Sequence, residues 1–189
     1  MVQKLIFSTT HSNCLFNFVK NISKMKKIIA LLVAFATFSC TSNAQKTEFS
    51  KKALATTLLA TDGSQVSFKN ILKKYKGKTL VIEVWASWCG DCVKAMPKLK
   101  ELQANNPDVS YLFISMDKTA DKWKAGIAKH DLKGGHFMAN DQMKGVFAKS
   151  IDVDWIPRYI IVDKKGKIVL YRAIETDFDK INQTLKSLK

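Results

Sequence analysis

Residues 80–97 read LVIEVWASWCGDCVKAMP, and this stretch decides the fold. The segment from Leu80 to Trp85 consists mostly of β-branched and aromatic residues, which is typical of a buried strand. From Val93 onward, apolar residues recur at helical spacing. A strand, a short turn and a helix therefore place Cys89 at or just before a helix N-terminus. Unpaired N–H groups and the positive end of the helix dipole favour a thiolate at that position.

Cys89 and Cys92 are three positions apart, so Cys92 lies one helical turn later and can close a short disulfide with Cys89. The thiolate is the form that attacks disulfides, which makes Cys89 the predicted nucleophile and Cys92 the cysteine that resolves the mixed disulfide. A structural disulfide with so small a loop would remove little entropy from the unfolded chain. The spacing therefore favours a redox-active dithiol that needs no other cofactor.

A zinc site is the alternative for this cysteine pair, and it requires four ligands. The other candidate ligands do not pair with the dithiol at metal-ligand spacing: Cys14, Cys40, His130 and His136. The count of ligands favours redox chemistry over zinc, and we predict no metal.

The segment Trp88-Cys89-Gly90-Asp91-Cys92, preceded by Val84-Trp85-Ala86-Ser87, resembles the active site of the thioredoxin superfamily. It resembles more closely the exported TlpA/ResA-like thiol-disulfide oxidoreductases of bacteria, over roughly residues 58–188. The resemblance implies an α/β, thioredoxin-like sandwich with a mixed central sheet flanked by helices and an extra N-terminal hairpin. The alternation of apolar patterns agrees with that class. It predicts a hairpin at 58–68, strands at 80–85, 109–116, 134–139, 158–163 and 167–171, and helices at 70–75, from the dithiol to 105, 117–130, 141–150 and 178–188.

Glu83 lies in the middle of the apolar strand, where a charge is expensive to bury. It stands six residues before Cys89, where thioredoxins carry a buried aspartate that accepts the proton of the second cysteine. The resemblance thus implies a general base for Cys92, with a pKa raised by burial towards that of a thiol. The alternative is a residue that points outward from a strand edge. Phe113 occupies the position of thioredoxin's lysine partner of that acid.

Ile156-Pro157 matches the position of the family's cis-proline loop, so the backbone of Ile156 is expected to pair with an extended substrate segment. An ordinary trans proline opening a strand is the alternative. Trp88 is expected to form part of the apolar rim of the substrate groove. Gly90-Asp91 replaces the Gly-Pro of thioredoxin, and the Asp91 carboxylate is expected to disfavour the thiolate and make the pair more reducing.

The front of the chain has the pattern of an export signal. Residues 25–44 contain a basic start, an apolar core and a small polar run, and the core is too short to span a bilayer. We expect cleavage between Ala44 and Gln45, with lipidation at Cys40 as the alternative. Residues 1–24 are expected to be a mis-called upstream extension, residues 45–57 a linker and residues 58–189 the thioredoxin-like domain.

The chain of 189 residues carries a formal charge of +15. Its first 44 residues contain five lysines and no acids, which leaves 26 basic and 16 acidic residues, a charge of +10, for the rest. Without a basic motif interleaved with aromatic residues, this charge predicts a solvated basic surface and no nucleic-acid partner. Attraction to anionic lipid or to acidic partners is a weaker expectation.

The sequence therefore predicts an exported, periplasmic enzyme that reduces protein disulfides. It would need a membrane electron donor, because that compartment does not keep dithiols reduced. The resemblance suggests apocytochrome c maturation or general disulfide reduction, and anchoring to a membrane if Cys40 is lipidated. Two alternatives stay open: a peroxiredoxin-type peroxidase, whose Thr/Ser-x-x-Cys pocket Ser87-Trp88-Cys89 does not supply, and a non-catalytic thioredoxin-fold binding module.

Overall fold

A computed structural model describes residues 45–189. Thirteen helices and strands make up this range, in chain order α1 Lys51–Ala55, β1 Thr57–Ala60, β2 Gln65–Ser67, α2 Phe68–Lys73, β3 Leu80–Trp85, α3 Gly90–Asn105, β4 Ser110–Ser115, α4 Ala120–His130, β5 Gly135–Met138, α5 Val146–Ser150, β6 Arg158–Val162, β7 Ile168–Ala173 and α6 Phe178–Ser187. The predicted upstream extension, the export signal and Cys40 lie outside the described residues. Within residues 45–189, no helix has the length and apolar character needed to cross a membrane.

The strands form one mixed sheet in the order β2-β1-β5-β4-β3-β6-β7. β3, β4 and β5 run parallel to one another, whereas β6 pairs antiparallel with both β3 and β7. All six residues of β3 are buried, because this strand lies in the middle of the sheet. The predicted α/β sandwich with a mixed sheet is confirmed.

The N-terminal hairpin is also present. β1 and β2 pair antiparallel across a turn at Asp62-Gly63, where Gly63 adopts a positive φ of 88°. β1 pairs in addition with β5, so the hairpin extends the central sheet.

The segment 45–57, predicted as a linker, contains helix α1 and is part of the folded domain. The Ser50 hydroxyl accepts a hydrogen bond from the Ala53 N–H at the start of this helix, and Ala53 is fully buried. Phe49 packs edge-on against Phe68, with ring centroids 4.9 Å apart. A short helix with few apolar residues gives little periodic signal, which is why the sequence did not predict it.

Helix α5 was predicted to begin at Asp141, but it begins at Val146. The Asp141 carboxylate accepts hydrogen bonds from the backbone N–H groups of Val146 and Phe147. An aspartate that binds these N–H groups from outside the helix fixes the start of the helix five residues later.

Candidate active site

The two cysteines at the start of α3 are joined by a disulfide, with their Cα atoms 5.3 Å apart. Cys89 is the N-cap residue, and its Sγ accepts a hydrogen bond from the Cys92 N–H at 3.1 Å. Cys89 is 6% exposed and Cys92 is fully buried. The sulfur that is reachable from outside is therefore also the one that faces the N–H groups of the helix terminus, and these stabilise negative charge.

The loop before β6 lies against the dithiol. The Ile156-Pro157 peptide bond is cis, as predicted, and the Ile156 carbonyl oxygen is 3.5 Å from Cys89 Sγ. The backbone of this loop is thus in direct contact with the sulfur that is accessible from outside.

A groove of about 290 Å³ opens above Cys89. Two indole rings line it and stay largely in solvent, since Trp88 is 55% and Trp155 61% exposed. Gly90, Asp91, Met143, Asp154 and Ile156 complete the lining. Large exposed aromatic side chains beside a reactive group are typical of a surface that binds another molecule.

The groove above Cys89 is not the site with the greatest volume among the described residues. A larger cavity of about 520 Å³ is lined by residues such as Tyr75, Lys100 and Tyr111 and contains no part of the dithiol. We assign the site to the smaller groove because it holds the reactive sulfur.

Glu83 is buried in the middle of the sheet, with 2% of its surface exposed. On β3 it is paired with Phe113 of β4 and with Tyr159 of β6, which excludes an outward-facing position on a strand edge. The Tyr159 hydroxyl donates a hydrogen bond to Oε1 at 3.3 Å, and Oε2 has no partner. Burial raises the pKa of Glu83 from its ordinary 4.5 to about 8, and the hydrogen bond from Tyr159 opposes this rise.

Asp117 is a site residue that the sequence did not reveal. It is 1% exposed, and its carboxylate accepts hydrogen bonds from the Ser87 N–H at 3.0 Å, the Ser87 hydroxyl at 2.6 Å and the Ser115 hydroxyl at 2.7 Å. Ser87 lies two residues before Cys89, so Asp117 fixes the turn that carries Cys89. The available signal was an acid two residues after a buried strand, at the end of the sheet where β3 also ends.

A second acid, Asp154, ties the groove to the edge of the sheet. Its two carboxylate oxygens accept hydrogen bonds from Arg158 and from Arg172, each at 2.6 Å. The hydrogen bond from Arg158 lowers the pKa of Asp154 to about 2. The spacing of Asp154 and Arg158 was a sequence signal for this pair, whereas Arg172 reaches it only through the pairing of β6 with β7.

The described residues also bear on metal binding. Within residues 45–189, no group of three or more His, Cys, Asp or Glu side chains is arranged to hold a metal ion.

A dithiol at the start of a helix, after the central strand of a mixed sheet and against a cis-proline loop, defines an oxidoreductase site of the thioredoxin superfamily. The family model described as Redoxin matches residues 44–185, and the chain belongs to this family.

Two curated relatives carry names of this class. The thiol-disulfide oxidoreductase ResA of Bacillus cereus (strain ATCC 10987 / NRS 248) is 26% identical over 149 residues, which cover 78% of this chain and 82% of that protein. The thioredoxin-like protein YneN of Bacillus subtilis (strain 168) is 32% identical over 104 residues, covering 53% of this chain and 59% of that protein.

A solved structure of a thiol-disulfide oxidoreductase from Bacteroides fragilis NCTC 9343 has the same fold. The TM-score is 0.61 at 22% identity, and the match covers 77% of this chain and all of the solved one. Residues 45–189 form one compact unit by themselves. Together with the dithiol, these relationships identify the chain as a TlpA/ResA-like thiol-disulfide oxidoreductase.

Proposed function

We propose that this enzyme is exported and reduces disulfide bonds in other proteins by dithiol exchange at Cys89 and Cys92. The position of the Cys89 sulfur supports this proposal best. It lies at the base of a groove with exposed indole rings, against the backbone of Ile156, while Cys92 is fully buried behind it. A protein substrate can therefore reach one sulfur and not the other.

In the first step, the Cys89 thiolate attacks one sulfur of the substrate disulfide. The substrate S–S bond breaks, a mixed disulfide forms, and one substrate thiolate leaves. The N–H of Cys92 and the helix dipole stabilise the attacking thiolate. The groove formed by Trp88 and the Ile156-Pro157 loop holds the substrate segment so that its sulfur lies in line with Cys89.

In the second step, the Cys92 thiolate attacks Cys89 Sγ, and the second substrate sulfur leaves as a thiolate. Two electrons have then moved to the substrate, and the enzyme holds the Cys89–Cys92 disulfide present in the structure. Cys92 must lose its proton for this attack, and Glu83 accepts it. A carboxyl with a pKa of about 8 is matched to a thiol, whose ordinary pKa is about 8.5.

Two features of the sequence support this proposal, one for export and one for the direction of electron flow. Residues 25–44 have the pattern of an export signal. The acidic Asp91 between the cysteines disfavours a second negative charge and hence favours a reducing pair. A periplasmic reductant of this kind takes its electrons from a membrane donor, since the compartment itself is oxidising.

The cysteine variants test the assignment of the two roles. Cys89→Ser should abolish the reduction of insulin disulfides. Cys92→Ser should instead accumulate a mixed disulfide with the substrate, with the adduct on Cys89 in peptide mass spectrometry. An adduct on Cys92 in the Cys89→Ser variant, or retained turnover, would refute the assignment. Peroxide consumption faster than insulin reduction would support the peroxidase alternative.

The reduction potential of the pair tests the direction of electron flow. Titration in defined thiol buffers should give a value near or below that of thioredoxin, roughly −270 mV. A value near that of the strong oxidant DsbA, roughly −120 mV, would instead make the enzyme a disulfide-forming oxidant.

A further inference from the structure

Five lysines line one open groove at the end of the sheet remote from the dithiol. We define this basic groove by Lys69, Lys73, Lys76, Lys78 and Lys165, all of which are exposed. It has a volume of about 220 Å³, and its floor is apolar, with Leu54, Leu72 and Leu80 among the lining residues.

The basic groove and the active site lie at opposite ends of the same strands. β3 begins at Leu80, which lines the basic groove, and ends at Trp85, just before the dithiol turn. β6 runs the other way, from the residue after Pro157 to Val162, which also lines the basic groove. Six residues of strand separate the two sites by roughly 20 Å.

The five lysines of the basic groove outnumber the acids in its lining. Its lining contains one acid, Asp163, whose Oδ1 accepts hydrogen bonds from the backbone N–H groups of Lys165 at 2.9 Å and Lys167 at 2.8 Å. Within residues 45–189, none of the five lysines forms a salt bridge, although several lysines elsewhere do. The groove therefore presents a net positive charge to a partner.

The backbone holds the lysine-bearing turns in fixed positions. The Gly77 N–H donates a hydrogen bond to the Lys164 carbonyl at 3.2 Å, which joins the turn before β3 to the turn between β6 and β7. Gly77 and Gly166 occupy these turns with positive φ values of 81° and 89°. The charges are thus gathered by tertiary structure from segments about 90 residues apart in the sequence.

The chain enters the domain at this same end of the sheet. The Ile168 N–H, at the start of β7, donates a hydrogen bond to the Thr47 carbonyl at 2.8 Å. Thr47 follows closely on the proposed cleavage site at Ala44, and on Cys40, the alternative site of lipidation. A tether to a membrane through that segment would attach beside the basic groove.

We propose that the basic groove docks the domain on an anionic phospholipid surface. Lysine ammonium groups are mobile point charges without the fixed fork of arginine, which suits a fluid layer of phosphate headgroups better than one defined carboxylate. Their apolar stems and the leucine floor match the boundary between headgroups and acyl chains. Docking in this orientation leaves the groove above Cys89 facing away from the lipid and open to substrates. The proposal does not depend on the redox assignment.

The test compares two double variants of residues 45–189 that lose the same charge. Lys73→Gln with Lys76→Gln removes charge from the basic groove, and Lys122→Gln with Lys124→Gln removes it from exposed positions of α4. Binding is measured by co-sedimentation with vesicles that contain phosphatidylglycerol and with vesicles of phosphatidylcholine alone. One lysine near an anionic surface contributes roughly fivefold in partitioning, so the groove variant should bind about 25-fold more weakly.

We expect binding to the anionic vesicles only, with a strong decrease as the salt rises to about 0.15 M. The α4 variant should bind like the unaltered protein, and both variants should reduce insulin at the unaltered rate. Equal weakening in both variants would show that only net charge matters and would overturn the proposal. Absence of binding to anionic vesicles would overturn it as well, and so would tighter binding to a poly-glutamate probe, which would assign an acidic protein as the partner.

Discussion

Replacing Glu83 by glutamine should make the protein more stable, and increasingly so as the pH rises. The glutamine is nearly isosteric, keeps an oxygen for the hydrogen bond from Tyr159, and carries no charge. In the parent protein, Oε2 has no partner and Glu83 is 2% exposed, so the ionised carboxylate is held in an unfavourable environment.

The pKa of Glu83 sets the size and the sign of this effect. It is about 8 in the folded protein and 4.5 in the absence of burial, so the folded state binds the proton more tightly than the unfolded state. Below pH 4.5 the carboxyl is neutral in both states and costs nothing. Between pH 4.5 and 8 the unfolded chain releases the proton while the folded protein retains it, so the free energy of unfolding falls with pH. The full loss above pH 8 is roughly 5 kcal/mol, at about 1.4 kcal/mol for each factor of ten in proton affinity.

Denaturant unfolding of oxidised residues 45–189 at several pH values between 4 and 9 measures this difference, since the disulfide removes the thiols from the titration. The difference between the Glu83→Gln variant and the parent should be near zero at pH 4, grow from about pH 4.5 and level off above pH 8. Glu101→Gln, at an exposed position of α3, serves as the matched control and should follow the parent at every pH. Parallel curves for the Glu83→Gln variant and the parent would refute the argument, because they would show that Glu83 keeps the same proton affinity in both states.

Three further substitutions have defined outcomes. Tyr159→Phe removes the hydroxyl that donates to Glu83, so the pKa of Glu83 should rise further and the rate of mixed-disulfide resolution should reach its half-maximum at a higher pH; an unchanged pH–rate profile would separate Tyr159 from proton transfer. Gly126→Ala would place a Cβ 2.8 Å from the Ser87 Cβ, and denaturant unfolding should show a loss of about 1–3 kcal/mol; unchanged stability would mean that the turn before the dithiol can shift freely. Asp117→Asn weakens the charge-assisted hydrogen bonds to Ser87 and should cost about 2 kcal/mol in the same experiment, together with slower insulin reduction; full activity would exclude a role in positioning Cys89.

The local parts of the fold could be predicted from the sequence because their signals are local. The apolar run of β3, the cysteine spacing and the glycine turn of the hairpin each depend on a few consecutive residues. The cis bond before Pro157 was inferred from the resemblance and is confirmed. Glu83 was expected to be buried because a charge in the middle of an apolar strand has few other places to go, and the structure places it there.

The features that the sequence missed or predicted wrongly depend on contacts that leave no periodic pattern in the chain. Asp117 binds Ser87 across 30 positions, and Arg172 reaches Asp154 across 18, so neither contact leaves a periodic pattern in the chain. The start of α5 was predicted too early because the side chain of Asp141 caps the helix from outside it. The segment 45–57 was predicted as a linker because helix α1 derives its stability from packing on the domain and not from its own sequence.

The two buried acids near the dithiol differ in their hydrogen bonding. Asp117 is fully hydrogen-bonded and fixes the turn before Cys89, which is what a nucleophile needs for a defined direction of attack. Glu83 is equally buried, yet it has one hydrogen bond to Tyr159 and one oxygen without a partner. If Glu83 had been placed only for stability, a neutral residue would have served better at every pH above 4.5. A group that lowers stability within the sheet, with a proton affinity matched to a thiol, has the property that the proposed proton transfer from Cys92 requires.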